Sequence, residues 1–271
     1  MNVNLACGSV YVKSTAWLNL DYASSSPAVQ RANLLGRLPL ADATADLVYS
    51  SHFLEHIPRE HVAPFLQECY RILKPGGVLR LVVPDLENLC RTYLHHRDQG
   101  EHDKADFVVL ELLDQCVRRQ SGGELGRYYR SLKAHFESNT NSMVFVRDRT
   151  GEDLMHSPPP PPPRRRSLRA ILRRLPAFAE RLWIRAVIQL LPRAFHEQNV
   201  SLASVGERHH WLYDAHSLQQ LLKACGFVAI ERCTASTSRH PDFPFHPLDL
   251  AAGGQPRKGA ESLFIEAQKP G

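Results

Sequence analysis

Residues 3–9, Val-Asn-Leu-Ala-Cys-Gly-Ser, and residues 17–21, Trp-Leu-Asn-Leu-Asp, carry the signal from which the fold can be read. Each is a short apolar run; the first ends in a glycine turn and the second on an acid, the pattern of strands leaving a sheet. A turn with little side chain lets backbone N–H groups approach a ligand, and Ala6, Cys7, Gly8 and Ser9 form such a turn. In a doubly wound α/β sheet, ligands bind outside the carboxyl ends of the strands, where the strand order reverses. Asp21, about 13 residues past Gly8, is placed to accept from both hydroxyls of an adenosine ribose. Taken alone, one glycine and one acid fit equally well a strand that merely ends in a turn.

Outward from this pair, Asp46–Ser50 reads as a third strand. Val62, Phe65, Leu66, Cys69, Ile72 and Leu73 recur at helical spacing, and Lys74-Pro75-Gly76-Gly77 stops that helix. Val78–Val83 is nearly continuously apolar, as expected of a parallel strand covered on both faces. Strands separated by helices predict a doubly wound α/β fold. Residues 85–155 read as helical and polar, with a Gly-Gly break at 122–123. Pro158–Pro163 is six consecutive prolines, which dictates extended polyproline II. After an Arg-rich amphipathic stretch, Asp214 caps a helix carrying Leu218, Leu221 and Leu222 and closed by Gly226. Phe227–Cys233 and Leu263–Ala267 read as the last strands.

Six segments then occur in order: V-N-L-A-C-G-S (3–9), A-W-L-N-L-D (16–21), L-P-L-A-D-A-T-A-D-L-V (38–48), H-F-L-E-H-I (52–57), E-C-Y-R-I-L-K-P-G-G (68–77) and V-V-P-D-L-E-N-L (82–89). This series resembles the class I (Rossmann-like) S-adenosylmethionine-dependent methyltransferases, in particular a bacterial subgroup with an L-G-C-G turn and a G-W-x-N-x-D second strand. Residues 209–227, H-H-W-L-Y-D-A-H-S-L-Q-Q-L-L-K-A-C-G-F, resemble its C-terminal part. The resemblance implies a seven-stranded class I methyltransferase sheet with the last strand antiparallel and a helical insertion. It divides the chain into 1–94, the cofactor-binding half; 95–205, the insertion with its Pro-rich linker (156–166) and basic segment (167–195); and 206–271, the C-terminal part of the domain. The implied cofactor is S-adenosyl-L-methionine, transferring its methyl to an oxygen or nitrogen of a small polar or glycan-type acceptor. Ala6, Cys7 and Gly8 would line its methionine side, Asp21 its ribose and Tyr22 its adenine. Asn33 and Leu34 stand where the family has an acid and an apolar residue, and Ser50 closes the fourth strand beneath the methyl. Ala6 replaces the usual glycine, a change expected to forbid strained backbone angles there. Asn33 keeps an acceptor oxygen without the charge.

His209 and His52 are the candidate catalytic bases, since an unperturbed imidazole titrates near neutrality. The competing reading is that Trp211 and Tyr213 pack the insertion onto the sheet while His209 bonds a neighbour. Asp85 either faces the rim of the site or caps the following helix. His52 and His56, four apart and flanking Glu55, have metal-ligand spacing if helical. No third ligand of recognisable spacing is visible, so no metal is expected.

The composition suits an ordinary globular protein, 43% hydrophobic and 23% charged, with six cysteines and no C-x-x-C pair. That usage, with an N-terminus that does not read as a signal peptide, predicts a cytoplasmic location. The net charge is +5, but residues 164–193 hold nine Arg against one Glu, so the remainder is mildly acidic. The basic segment 167–195 fits a peripheral membrane contact, or a lid packed over the substrate site. Nucleic-acid binding fits less well, because no nucleic-acid-binding signature accompanies the arginines.

Overall fold

A computed structural model of the 271-residue chain describes residues 1–24, 26–156, 175–203 and 206–271. Its centre is a seven-stranded sheet of order β3-β2-β1-β4-β5-β7-β6. The strands are β1 Asn2–Leu5, β2 Trp17–Asp21, β3 Val29–Arg31, β4 Ala45–Ser51, β5 Leu73–Pro84, β6 Val228–Cys233 and β7 Ser262–Gln268. β1 pairs in parallel with both β2 and β4, and β5 in parallel with β4. β7 runs antiparallel to both neighbours, β5 and β6. This is the class I methyltransferase sheet that the sequence predicted. β3 escaped the sequence reading, being only three residues of Val-Gln-Arg at the sheet's edge.

One face of the sheet buries Val3, Leu5, Leu20, Val48 and Leu79 against α1 (Arg59–Ile72) and α8 (Ala215–Ala224). The helical stripe of α1 forms as read, with Val62, Phe65, Leu66, Cys69 and Ile72 buried. Asp214 caps α8 in a capping box with Ser217, and Gly226 takes a φ of 92° just beyond it. The opposite face buries Leu47, Tyr49, Val82, Phe243 and Leu248.

In that second face sits Arg80, on β5 and wholly buried. Its guanidinium meets Asp249 and Glu266, both at 2.7 Å, and donates to the carbonyls of Thr234 and Thr237. Tyr49 donates to the same Asp249 at 2.7 Å. Every charged atom here finds a partner, which is the condition for burying an ion triad. An arginine within an apolar strand was the overlooked signal: on β5 it alternates with Leu79 and Leu81, which face the other core.

Between β5 and α8 lie α2 (Leu86–Asp98), α3 (His102–Val117), α4 (Gly123–Ala134), α5 (Thr140–Thr150), α6 (Leu175–Leu190) and α7 (Arg193–Asn199). The helices α3 to α5 build their own small core from Phe107, Leu132, Met143, Val146 and Leu154. The proline run and Leu172 lie outside the described residues. On α6, Leu182, Trp183, Val187 and Leu190 are exposed. None of the described helices is long and apolar enough to cross a membrane.

Candidate active site at the carboxyl edge of the sheet

The strand order reverses between β1 and β4, and the turn after β1 opens there. Gly8 is exposed at a φ of 53°, with no atom within 4 Å of where a Cβ would stand. Its N–H donates to Asp21 Oδ2 at 2.8 Å, and Ala23 N–H donates to Asp21 Oδ1 at 3.0 Å. A carboxylate has about four acceptor positions, so Asp21 keeps free lone pairs for a diol. An open glycine cradle beside a part-satisfied carboxylate therefore fits the adenosine and methionine parts of S-adenosylmethionine.

The expected strain-free Ala6 is corrected: it adopts a φ of 56°, in the left-handed region. The turn imposes that geometry, and alanine accepts it at a cost that glycine would avoid. Cys7 is buried, and burial with the nearby Asp21 charge pushes its thiol up to about 12. Tyr22 is exposed beneath the Arg31 guanidinium, 5.6 Å from its ring centre. Asn33 uses its amide oxygen on the Leu35 N–H at 3.1 Å, closing its own turn, while Leu34 packs into the core. Ser50 is buried with a hydroxyl that has no hydrogen-bond partner.

Beyond the ends of β4 and β5 lies a cavity of about 410 Å³, which neither the Ala6–Ser9 turn nor Asp21 lines. Its floor is His52, Pro84 and Glu261, and its roof is Glu111, Arg118 and Tyr129 from α3, its C-terminal flank and α4. Asp85 is not at the rim: it caps α2 through the Glu87 and Asn88 N–H groups and pairs with Arg232 at 2.6 Å. Glu111 meets Arg149 at 3.1 Å. Burial raises the Glu111 carboxyl, although Arg149 opposes the rise. Burial and the Glu111 charge push Glu261 well above the carboxylate range, so this pair retains a proton.

Both candidate bases line the cavity. His52 is not helical: it holds a φ of 50° ahead of the short 3-10 helix Leu54–His56. Its Nε2 shares a hydrogen bond of 2.9 Å with Ser262 Oγ. His209 is 7% exposed and its Nδ1 has no partner. Burial lowers both imidazoles below their ordinary value, His209 to about 4. Burial alone would raise Glu55 between them, but the surrounding imidazoles of His52, His56 and His209 reverse the direction and keep it ionised. Trp211 is half out in solvent under Arg59, whereas Tyr213 is buried in the sheet core.

Residues 9–81 match the methyltransferase domain family. The first third of the chain is methyltransferase-like. A Mycolicibacterium smegmatis protein named "Probable S-adenosylmethionine-dependent methyltransferase" is 35% identical over a 77-position alignment that covers 25% of this chain. The match spans 29% of that relative's length. Among solved structures, an Archaeoglobus fulgidus S-adenosylmethionine-dependent methyltransferase aligns over 99% of this chain and 85% of its own, at 10% identity and a TM-score of 0.39. A Haloferax volcanii methyltransferase, solved with a methyltransferase activator, aligns over 100% and 82% at 11% identity and a TM-score of 0.41. The matched segment, residues 9–81, carries Asp21, Asn33, Ser50, His52, Glu55 and His56, while Ala6, Cys7 and Gly8 lie just before it and His209 far outside it.

Proposed function

We propose that the protein is an S-adenosylmethionine-dependent methyltransferase whose acceptor is a small polar or glycan-type molecule. The observation that carries this reading is the Gly8–Asp21 hydrogen bond at the switch point; a cavity of about 410 Å³ lies beyond the ends of β4 and β5. That volume suits a small ligand, and the lining by Glu111, Arg118, Glu207, Lys258 and Glu261 suits a hydroxylated or charged one. Residues 1–94 and 206–271 supply the sheet and cofactor edge, and 95–205 the acceptor cover. Asp21 holds the ribose, Ala6, Cys7 and Gly8 the methionine, Tyr22, Asn33 and Leu34 the adenine side, and Ser50 lies beneath the methyl.

When bound, S-adenosylmethionine supplies a methyl group activated by a sulfonium. The chain's contribution is then mainly to hold an acceptor oxygen or nitrogen in line with that methyl, because proximity and orientation account for much of such a barrier. His209, through its unpartnered Nδ1, and His52, held by Ser262, are the proposed bases at the cavity wall for an acceptor that must lose a proton. The basic segment 167–195 is proposed to cover the acceptor or to rest on an anionic membrane surface.

Calorimetry of the full chain with S-adenosylmethionine tests the reading. Saturable binding that disappears in Asp21→Ala is expected; no heat at millimolar ligand would overturn it. Liposome sedimentation checks the membrane contact, and unchanged sedimentation removes it.

A further inference from the structure

His56 and His209 line the cavity and Glu55 is buried beside them, one ligand atom from each lying within 4.8 Å of the others. Glu55 has no exposed surface, and neither of its carboxylate oxygens has a hydrogen-bond partner. A buried carboxylate without donors is costly unless a cation meets it. His209 is likewise buried with an unpartnered Nδ1.

His56 shows how the cluster is oriented. Its Nδ1 lies 2.8 Å from the Arg208 carbonyl, which can only accept. Nδ1 therefore carries the proton, and the Nε2 lone pair stands 3.9 Å from Glu55 Oε1. A histidine that donates its far N–H to a carbonyl while presenting the other nitrogen is the usual posture of a metal ligand. His52 adds a third imidazole, with Nδ1 at 3.4 Å from the same oxygen.

The backbone holds the two halves in place. His210 and Trp211 both donate to the Glu55 carbonyl, at 2.6 and 3.3 Å, and His209 N–H donates to the Gln115 carbonyl at 3.0 Å. In a tetrahedral site with bonds of about 2.1 Å, ligand atoms lie roughly 3.4 Å apart. Side-chain movements on the order of 1 Å would complete that geometry here.

We propose that Glu55, His56 and His209 bind one divalent transition-metal ion, zinc being the best match, with His52 beside it. Two imidazoles and one carboxylate are a donor set that leaves a coordination position open, and both imidazoles line the cavity. Resting on the methyltransferase reading, the ion would orient and polarise the acceptor's oxygen. The site itself does not depend on that reading.

The test uses the full chain, free of any affinity tag, stripped with a chelator and titrated with Zn²⁺ and separately with Co²⁺. The expected result is one equivalent per chain, with a tetrahedral Co²⁺ absorption spectrum and a raised Tm. Glu55→Gln and His209→Ala should each weaken binding by at least about 100-fold, more than the loss of an outer partner causes. Circular dichroism separates unfolded variants from folded ones that fail to bind. His56→Gln, on the surface side of the cluster, provides the second variant if the buried ones do not fold. Less than a tenth of an equivalent bound, or affinity unchanged in every folded variant, overturns the proposal. Metal bound by a chain that ignores S-adenosylmethionine would sink the methyltransferase reading and leave the site standing. The reverse result would sink the site alone.

Discussion

The Gly8 N–H donates to Asp21 Oδ2 at 2.8 Å, so the turn after β1 and the end of β2 are tied together at the edge of the sheet. The carboxylate has two tasks: it orders the glycine turn and offers its remaining lone pairs outward. Asp21→Ala therefore removes both a ligand contact and a turn support. A hydrogen bond to a charged group contributes about 1.5–3 kcal/mol, so S-adenosylmethionine affinity should fall at least about tenfold by calorimetry. An unchanged Kd would exclude Asp21 from the cofactor site.

Ala6 carries a φ of 56° that glycine adopts without strain. Left-handed geometry costs an L-residue roughly 1–2 kcal/mol, while glycine loses some of that advantage through unfolded-state entropy. Ala6→Gly is expected to stabilise the chain by about 0.5–1 kcal/mol in urea unfolding. Destabilisation would show that the turn does not impose this angle.

Arg80 lies between Asp249 and Glu266 with no exposed surface. Replacing it by Met leaves two buried carboxylates facing an apolar side chain. Breaking a buried ion cluster from one side costs about 3–5 kcal/mol, and equilibrium unfolding of Arg80→Met should show that loss. A change under about 1 kcal/mol would mean that the cluster relaxes into solvent.

Glu261 is pushed well above the ordinary carboxylate range by burial and by the Glu111 charge. The folded chain then holds a proton that the unfolded chain has released. Stability consequently falls as pH rises above the ordinary value of 4.5, and levels off only above the folded pKa. Glu261→Gln has no such titration, so wild type should lose stability relative to this variant as pH rises above 4.5. Parallel urea curves across that range would show that the proton is not retained.

The sequence alone carried the local physics. Apolar runs bounded by turns identified β1, β2, β4 and β5, and the spacing of Val62, Phe65, Leu66 and Cys69 identified α1. Asp214 and Gly226 marked the ends of α8, because caps and left-handed turns are chosen within a few residues. Order and spacing of the segments from Val3 to Leu89, with residues 209–227, likewise carried the resemblance, which the match over residues 9–81 bears out in part. β3 stayed hidden because three residues are too few to show a period.

What required the tertiary structure was every relation between distant residues. The strain at Ala6 follows from the path of the turn, which composition does not encode. Arg80 is accommodated within an apolar strand because Asp249 and Glu266, more than 160 positions away, close around it. His209 joins Glu55 and His56 only because His210 and Trp211 donate to the Glu55 carbonyl while His209 N–H donates to Gln115. Periodicity and capping are read over one or two turns of chain, whereas charge pairing and ligand geometry are fixed by which segments the sheet order brings together.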